Sequence, residues 1–382
     1  MFGAIRVLVM TPYPALPLSH GGRVRTFQLA RGLVRAGGEV DLVCPWSPGQ
    51  PRKEYVVDGV RIRPILFPTT PLLALPDDWL PSALPLSWEA RVGRGRSLLR
   101  EAAGYDIAQF EVSGQGPWAE RVPAGVKRVY ASHNVDADFD VARGTRGGGL
   151  RRRMAGRLGD LERRLVAASD LVLACTEEDA ERFGARYGAG TRRAVVPNGF
   201  DDELLELDRD PLREKLRGEL GLATDELLLL FVGGGAEHNR RAVRALEQEV
   251  MPAVRRRAQL VVIGKAADAL SGEGERVRSL GYVDDLRPWL AAADVGLNPV
   301  AYGSGSNLKV AEYLAAGLPV LTTPIGSRGF ERWAERMRIA TLGEFAEALQ
   351  ALPQADGPPP GIEDLAWSGI ARRLHALYAG LL

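Results

Sequence analysis

Residues Tyr302–Gly326 read YGSGSNLKVAEYLAAGLPVLTTPIG. A Gly/Ser/Asn turn leads into a helical segment carrying Lys309 and Glu312, and that segment runs into the short apolar strand Pro319–Thr322. The N–H groups left free at a helix start, with the positive end of the helix dipole, form a site for phosphate. Glycine lets the backbone come close to a ligand, and Lys309, one turn in, adds positive charge. Glu312, further along, suits a carboxylate that accepts from sugar hydroxyls. Phosphate at the tip and a polyol behind it is the shape of a nucleotide sugar.

The same pattern extends outward. Short apolar strands are predicted near Ile5–Met10, Val40–Cys44, Arg61–Leu66, Ile107–Phe110, Arg128–Ala131 and Leu171–Ala174. Helices are predicted over Gly22–Ala36, Glu89–Ala102, Leu150–Ala168 and Glu177–Tyr187. The stretch VVPNGFDDELL (Val195–Leu205) gives a strand, a turn and an acidic restart. The alternation then begins again with Leu227–Val232, a helix near Asn239, Leu260–Ile263 and Val295–Asn298. This predicts an α/β protein of two parallel-sheet domains, 1–197 and 198–362, with a C-terminal helix over 363–382 that can pack back on the first. Two such domains imply a central cleft, and ligands of open parallel sheets bind beyond the carboxyl ends of the strands.

Composition narrows the class. The 382 residues exceed one ordinary core, and 46% of them are apolar with a formal net charge of +1. A globally basic nucleic-acid binder is excluded on that balance. The total hides an asymmetry: residues 1–197 carry net +7 and the remainder net −6, with eight Arg against two acids in 141–164. Cys44 and Cys175 each follow an apolar run and read as reduced core residues rather than a disulfide or metal site. The opening MFGAIRVLVM leads into a strand without a cationic leader, and no apolar run reaches transmembrane length, so the cytoplasm is the expected compartment.

Six fragments, in order, carry a resemblance. They are PYPALPLSHGGRVRTFQLARGLVRAGGEVDLV (Pro12–Val43), SHNVDADF (Ser132–Phe139), ASDLVLACTEEDAERF with VVPNGFD, FVGGGAEHNRRAV, GYVDDLRPWLAAADVGLNP, and GSGSNLKVAEYLAAGLPVLTTPIGSRG. Over nearly its whole length the chain resembles the retaining GT-B glycosyltransferases, in particular glycosyltransferase family 4. The resemblance implies a GT-B fold of two Rossmann-like domains facing a central cleft. It also implies transfer from a nucleotide diphosphate sugar to an acceptor hydroxyl with retention at the anomeric carbon. No cofactor and no essential metal are implied. The acceptor is left open among small molecules, glycans and lipid-linked compounds.

Carried over residue by residue, the resemblance assigns donor binding to Gly22, Gly234, Ser304, Gly305, Ser306, Asn307, Leu308, Lys309 and Glu312. It makes His133, Lys309 and Glu312 the catalytic candidates and places Gly21, Arg25 and Asn134 on the acceptor side. Two departures stand out. Relatives commonly place two Glu eight residues apart in the donor loop; here Glu312 fits the second and Ser304 the first. Where many relatives carry an Arg and a Lys for the diphosphate, this chain has Gly234 and about His238, so charge must come from Lys309, helix dipoles, and Arg240 or Arg241. The competing reading is that Gly233–Gly235 forms a plain turn and Asn239 caps the next helix.

Other features keep two readings. Leu150, Met154, Leu158, Leu161 and Leu165 lie on one face of a helix whose arginines either meet solvent or dock an anionic membrane, with Arg151, Arg152 and Arg153 as the contact at its inner face. No GxxxxGK[ST] loop, G-x-G-x-x-G fingerprint, HExxH or CxxC occurs in the expected places. The main alternative to an enzyme is a noncatalytic GT-B homologue acting as a partner or scaffold, which the Ser304, Gly234 and His238 departures would suit.

Overall fold

The computed structural model describes residues 4–73, 83–90, 93–137, 149–272, 274, 276–302, 305–353 and 357–382. The chain divides into two compact units. Unit 1 comprises Met1–Leu18, Gly22–Pro197 and Ile370–Leu382; unit 2 comprises Ser19–Gly21 and Asn198–Gly369.

Unit 1 is built on an eight-stranded sheet. Its strands are β1 (Arg6–Met10), β2 (Glu39–Pro45), β3 (Tyr55–Val57), β4 (Val60–Ile65), β5 (Ile107–Phe110), β6 (Lys127–Ala131), β7 (Leu171–Ala174) and β8 (Arg193–Val195). They lie in the order β3-β4-β2-β1-β5-β6-β7-β8, all parallel except the β3–β4 hairpin. The inner strands are buried on both faces, which is why β7 reads as the unbroken apolar run LVLA. Phe110, Trp118, Tyr130 and Phe183 fill one of its cores. The helix Glu177–Tyr187 shows how locally determined the elements are. Thr176 caps it by accepting from Asp179 N at 3.0 Å, three acids occupy its first turn, and Arg186 sits in its last.

Unit 2 carries a six-stranded sheet: β9 (Leu227–Val232), β10 (Ala258–Ile263), β11 (Val277–Gly281), β12 (Val295–Asn298), β13 (Val320–Thr322) and β14 (Met337–Ile339). Their order is β11-β10-β9-β12-β13-β14, and every pairing is parallel. Tyr313 locks the helix Leu308–Ala315 onto this sheet. Its hydroxyl donates to Leu230 O at 3.3 Å and accepts from Val232 N at 2.9 Å.

Both sheets are doubly wound, and each reverses direction once. In unit 1 the reversal falls between β1 and β5; in unit 2 it falls between β9 and β12. The carboxyl ends of strands at such a point diverge into loops that leave a crevice for ligand. The loops that start there are Thr11 onward and Glu111 onward in unit 1, and Gly233 onward and Pro299 onward in unit 2.

Three strands have no counterpart in the sequence reading: β3, β11 and β14. Each is at a sheet edge. An edge strand is covered on fewer sides, so it carries no continuous apolar run. No helix among the described residues is long and apolar enough to cross a membrane.

Candidate donor and sugar sites

In unit 2 the described donor candidates Gly234, Gly305, Ser306, Asn307, Leu308, Lys309 and Glu312 lie on the segments that follow β9 and β12, at the reversal of the sheet. Gly305 has φ +73°, a left-handed bend that favours glycine, and it turns the chain into the helix Leu308–Ala315. The first turn of that helix, with Leu308 and Lys309, leaves its N–H groups outside the intrahelical ladder. The Ser306 carbonyl accepts from Asn198 Nδ2 at 2.8 Å. The Ser306 hydroxyl oxygen is buried without a hydrogen-bond partner among the described residues.

Lys309 is buried. Its Nζ donates to Asn239 Oδ1 at 2.9 Å and sits 4.0 Å from the centre of the Phe231 ring. Burial pulls the ammonium down to about 7, with Glu312 working the other way. Glu312 is half-buried, and burial, then Asp201, push its carboxyl up to about 7 against the pull of Lys309. Among the described residues no hydrogen bond or ion pair reaches that carboxylate. Burial thus moves the ammonium down and the carboxylate up toward neutral pH, the pattern that marks candidate ligand-binding groups.

Asn239 does not cap its helix. That helix spans Glu237–Ala245 with Ala236 at its N-cap, so Asn239 lies within the first turn. Its side chain instead bridges, receiving the Lys309 ammonium and donating from Nδ2 to Gly234 O at 3.2 Å. The Arg241 guanidinium pairs with Glu237 at 3.0 Å and stacks on Tyr302, while His238 meets the edge of the same ring. Arg240 has a buried Nε without a hydrogen-bond partner among the described residues. Ser304 lies outside the described residues.

In unit 1, three loops at carboxyl ends of strands bring together Tyr13, Glu111 and His133. His133 Nε2 lies 2.6 Å from Glu111 Oε2, and the Tyr13 hydroxyl is 3.3 Å from the same nitrogen. Thr26 donates to Glu111 Oε2 at 2.8 Å. Burial alone would raise the Glu111 carboxyl, but the bond and charge of His133, with Gln109 and Thr26, outweigh it and hold the group below its usual range. An ionised carboxylate only accepts, so the proton between the pair belongs to His133 Nε2. Gly21 and Gly22 open the helix Gly21–Arg35 beside this cluster. A Cβ on Gly22 would stand 2.7 Å from the Tyr13 hydroxyl and 3.4 Å from His133 Nδ1.

The other two acceptor-side candidates are Arg25 and Asn134. Arg25 is 1% exposed, and its guanidinium donates to Pro197 O at 2.9 Å and Val196 O at 2.6 Å. Through these bonds it holds the segment that follows β8. The Asn134 carbonyl accepts from the Ser132 hydroxyl. The side chains of Arg151, Arg152 and Arg153 lie outside the described residues. Cys44 and Cys175 are free and buried, and burial pushes both thiols up to about 11.

The sequence reading did not find Glu111, Thr26 or Tyr13. A signal was there: in β5 and just after it, Gln109 and Glu111 alternate with apolar residues at the carboxyl end of a buried strand. Polar groups there must be satisfied, and they point to one face of the sheet.

Comparison with known proteins now bears on this geometry. Residues 19–204 match the model of Glycosyltransferase Family 4, and residues 226–354 match that of Glycosyl transferases group 1. The chain is 30% identical to a D-inositol 3-phosphate glycosyltransferase of Xylanimonas cellulosilytica, over 93% of this chain and 83% of that one. Among solved structures, sucrose-phosphate synthase of Thermosynechococcus elongatus superposes with a TM-score of 0.73 at 19% identity, covering 99% of each chain. The Anabaena protein HepE, solved with UDP-glucose, gives 0.61 at 15% identity and covers 99% of this chain and 97% of that one. The two doubly wound units are those of a GT-B protein. The chain belongs to glycosyltransferase family 4, and it is a glycosyltransferase.

Proposed function

We propose that the protein transfers a sugar from a nucleotide diphosphate sugar to an acceptor hydroxyl, with retention at the anomeric carbon and without an essential metal. The observation that carries the reading is the unit 2 constellation: an open helix start at Ser306–Leu308, the Lys309 ammonium on Asn239, and the half-buried Glu312 carboxylate on the same helix. As the glycosidic bond breaks, negative charge grows on the leaving diphosphate. Fixed N–H groups and a low-dielectric ammonium stabilise that charge where it forms. A ligand phosphate would favour the charged form of Lys309, and ribose hydroxyls would donate to Glu312. Because protein groups supply this positive charge, the reading does not call on a divalent ion.

In unit 1, His133 is assigned to the transferred sugar. Its Nε2 proton is committed to Glu111, which fixes the ring and its tautomer. No side chain in this arrangement is placed as a nucleophile, so attack from the leaving-group face is the preferred route. The printed name of the relative makes D-inositol 3-phosphate one acceptor to test. A cytoplasmic location, with peripheral membrane contact through Arg151–Arg153, is also part of the proposal; it rests on the sequence alone.

The test is a thermal-shift screen with UDP-, GDP-, dTDP- and ADP-sugars, because a ligand of the native state raises its apparent stability. A donor found this way is then given acceptors, D-inositol 3-phosphate among them. Release of nucleoside diphosphate is followed with and without EDTA, and the product anomer is read by NMR. Absence of any donor shift would overturn the reading. Donor binding without transfer to any acceptor would favour the noncatalytic homologue.

A further inference from the structure

We propose that Asn198, at the start of unit 2, is a positioning residue that aims the donor loop at the diphosphate. The inference rests on the reading above and deepens it. Asn198 is 7% exposed, and its Nδ2 donates to the Ser306 carbonyl at 2.8 Å across 108 positions of sequence.

The backbone from which it projects is fixed. Phe200, two residues on, donates from N to Leu365 O at 3.1 Å and accepts from Trp367 N at 3.0 Å. Asn198 therefore reaches the loop from a braced segment rather than from the loop itself.

The consequence follows from peptide geometry. In a planar trans peptide the carbonyl and the following N–H point in opposite directions. Drawing the Ser306 carbonyl toward Asn198 turns the Asn307 N–H the other way. That N–H then heads the series of open donors that continues through Leu308 and Lys309 at the helix start. Gly305, with φ +73°, supplies the bend that lets the peptide adopt this orientation. The Ser306 hydroxyl, buried and without a partner among the described residues, is a further polar group at the same place. A loop aimed in advance does not have to be ordered by the ligand, which is how one hydrogen bond remote from the ligand alters affinity.

Asn198→Asp keeps the size and replaces the donor with an acceptor facing a carbonyl. A structural brace and a positioning residue differ in what they change. Loss of a brace weakens every ligand alike, whereas loss of aim weakens only ligands that carry phosphate.

The experiment measures dissociation constants of UDP, GDP, ADP and dTDP, each beside its nucleoside, for wild type and Asn198→Asp. The expected result is a fall of roughly tenfold in the preference for diphosphate over nucleoside, the size of one misdirected hydrogen bond. Nucleoside affinity stays unchanged. An unaltered preference, or equal weakening of both ligands, overturns the inference. If Asn198→Asp does not fold, Asn198→Ser gives the same comparison. A wild-type protein that binds none of the four diphosphates overturns the proposed function itself, a different outcome from a variant that keeps the wild-type preference.

Discussion

Glu111 and His133 form a buried contact, with Glu111 Oε2 2.6 Å from His133 Nε2, in which the carboxylate also accepts from Thr26. The acid is 1% exposed, so its charge is stable only because donors surround it. Glu111→Gln leaves one amide oxygen to serve donors that now meet two carboxylate oxygens. A loss on the order of 2–3 kcal/mol at neutral pH is expected from the unsatisfied groups. The sign with pH follows from a folded-state pKa below the ordinary 4.5. Stabilisation by the charge is complete above that value and disappears as pH falls through the folded one. Urea unfolding at stepped pH should therefore show the gap between wild type and Glu111→Gln narrowing below pH 4.5. A gap that stays constant into acid would show that charge is not what Glu111 contributes.

Glu312 has the opposite sign. Its carboxyl is pushed up to about 7 from 4.5, so the native protein holds the proton more tightly than the unfolded chain does. That contribution is full below pH 4.5 and is lost as pH rises through about 7. Above that pH the free protein carries a desolvated carboxylate that no donor among the described residues satisfies. Glu312→Gln should then be more stable than wild type at pH 8, by about 1–2 kcal/mol after allowing for partial exposure, and indistinguishable at pH 4.5. The same variant should lower turnover by at least about an order of magnitude, as a site group that stabilises the transition state does. Lys309→Ala should do likewise. Wild-type turnover from either variant would remove that residue from the site.

The sequence was most informative where chemistry and burial coincide in one short segment. Lys309 and Glu312 stand three apart on one helix beside a glycine turn, and that spacing made both candidates for a donor site before their burial was known. The central strands β1, β2, β5, β6, β7, β9, β10, β12 and β13 were legible because strands covered on both faces are mostly apolar. The edges β3, β11 and β14 were not, because an uncovered strand has no such constraint. Asn239 looked like a helix cap because Asn is common there; only the tertiary fold shows that Lys309, 70 positions away, uses its oxygen. Arg25 looked accessible because arginine usually is. Nothing within its own helix announces that the carbonyls of Val196 and Pro197 lie within reach of its guanidinium.

That buried role of Arg25 can be measured. Arg25→Met would keep much of the volume while leaving two carbonyls at the end of β8 without charge-assisted donors. Loss of stability on the order of 2–4 kcal/mol is expected from denaturant unfolding. Arg25→Lys should recover only part of it, since one ammonium cannot reproduce a planar fork to two acceptors. If both variants unfold at the wild-type midpoint, the two bonds carry no net weight.

Gly22 leads into the His133 cluster, and its lack of a side chain has a steric reason. A Cβ there would stand 2.7 Å from the Tyr13 hydroxyl, closer than side chains tolerate, and 3.4 Å from His133 Nδ1. Tyr13 cannot simply swing away, because its hydroxyl lies 3.2 Å from Thr26 Oγ1 and 3.3 Å from His133 Nε2. Gly22→Ala should therefore cost about 1–3 kcal/mol through overpacking. It should also displace Tyr13 from His133, so turnover should fall by more than the loss of folded protein explains. Measuring both on one preparation, turnover per folded molecule against denaturant midpoint, separates the two effects. Full specific activity in a destabilised Gly22→Ala protein would mean that the Tyr13–His133 contact supports the fold and not the transfer.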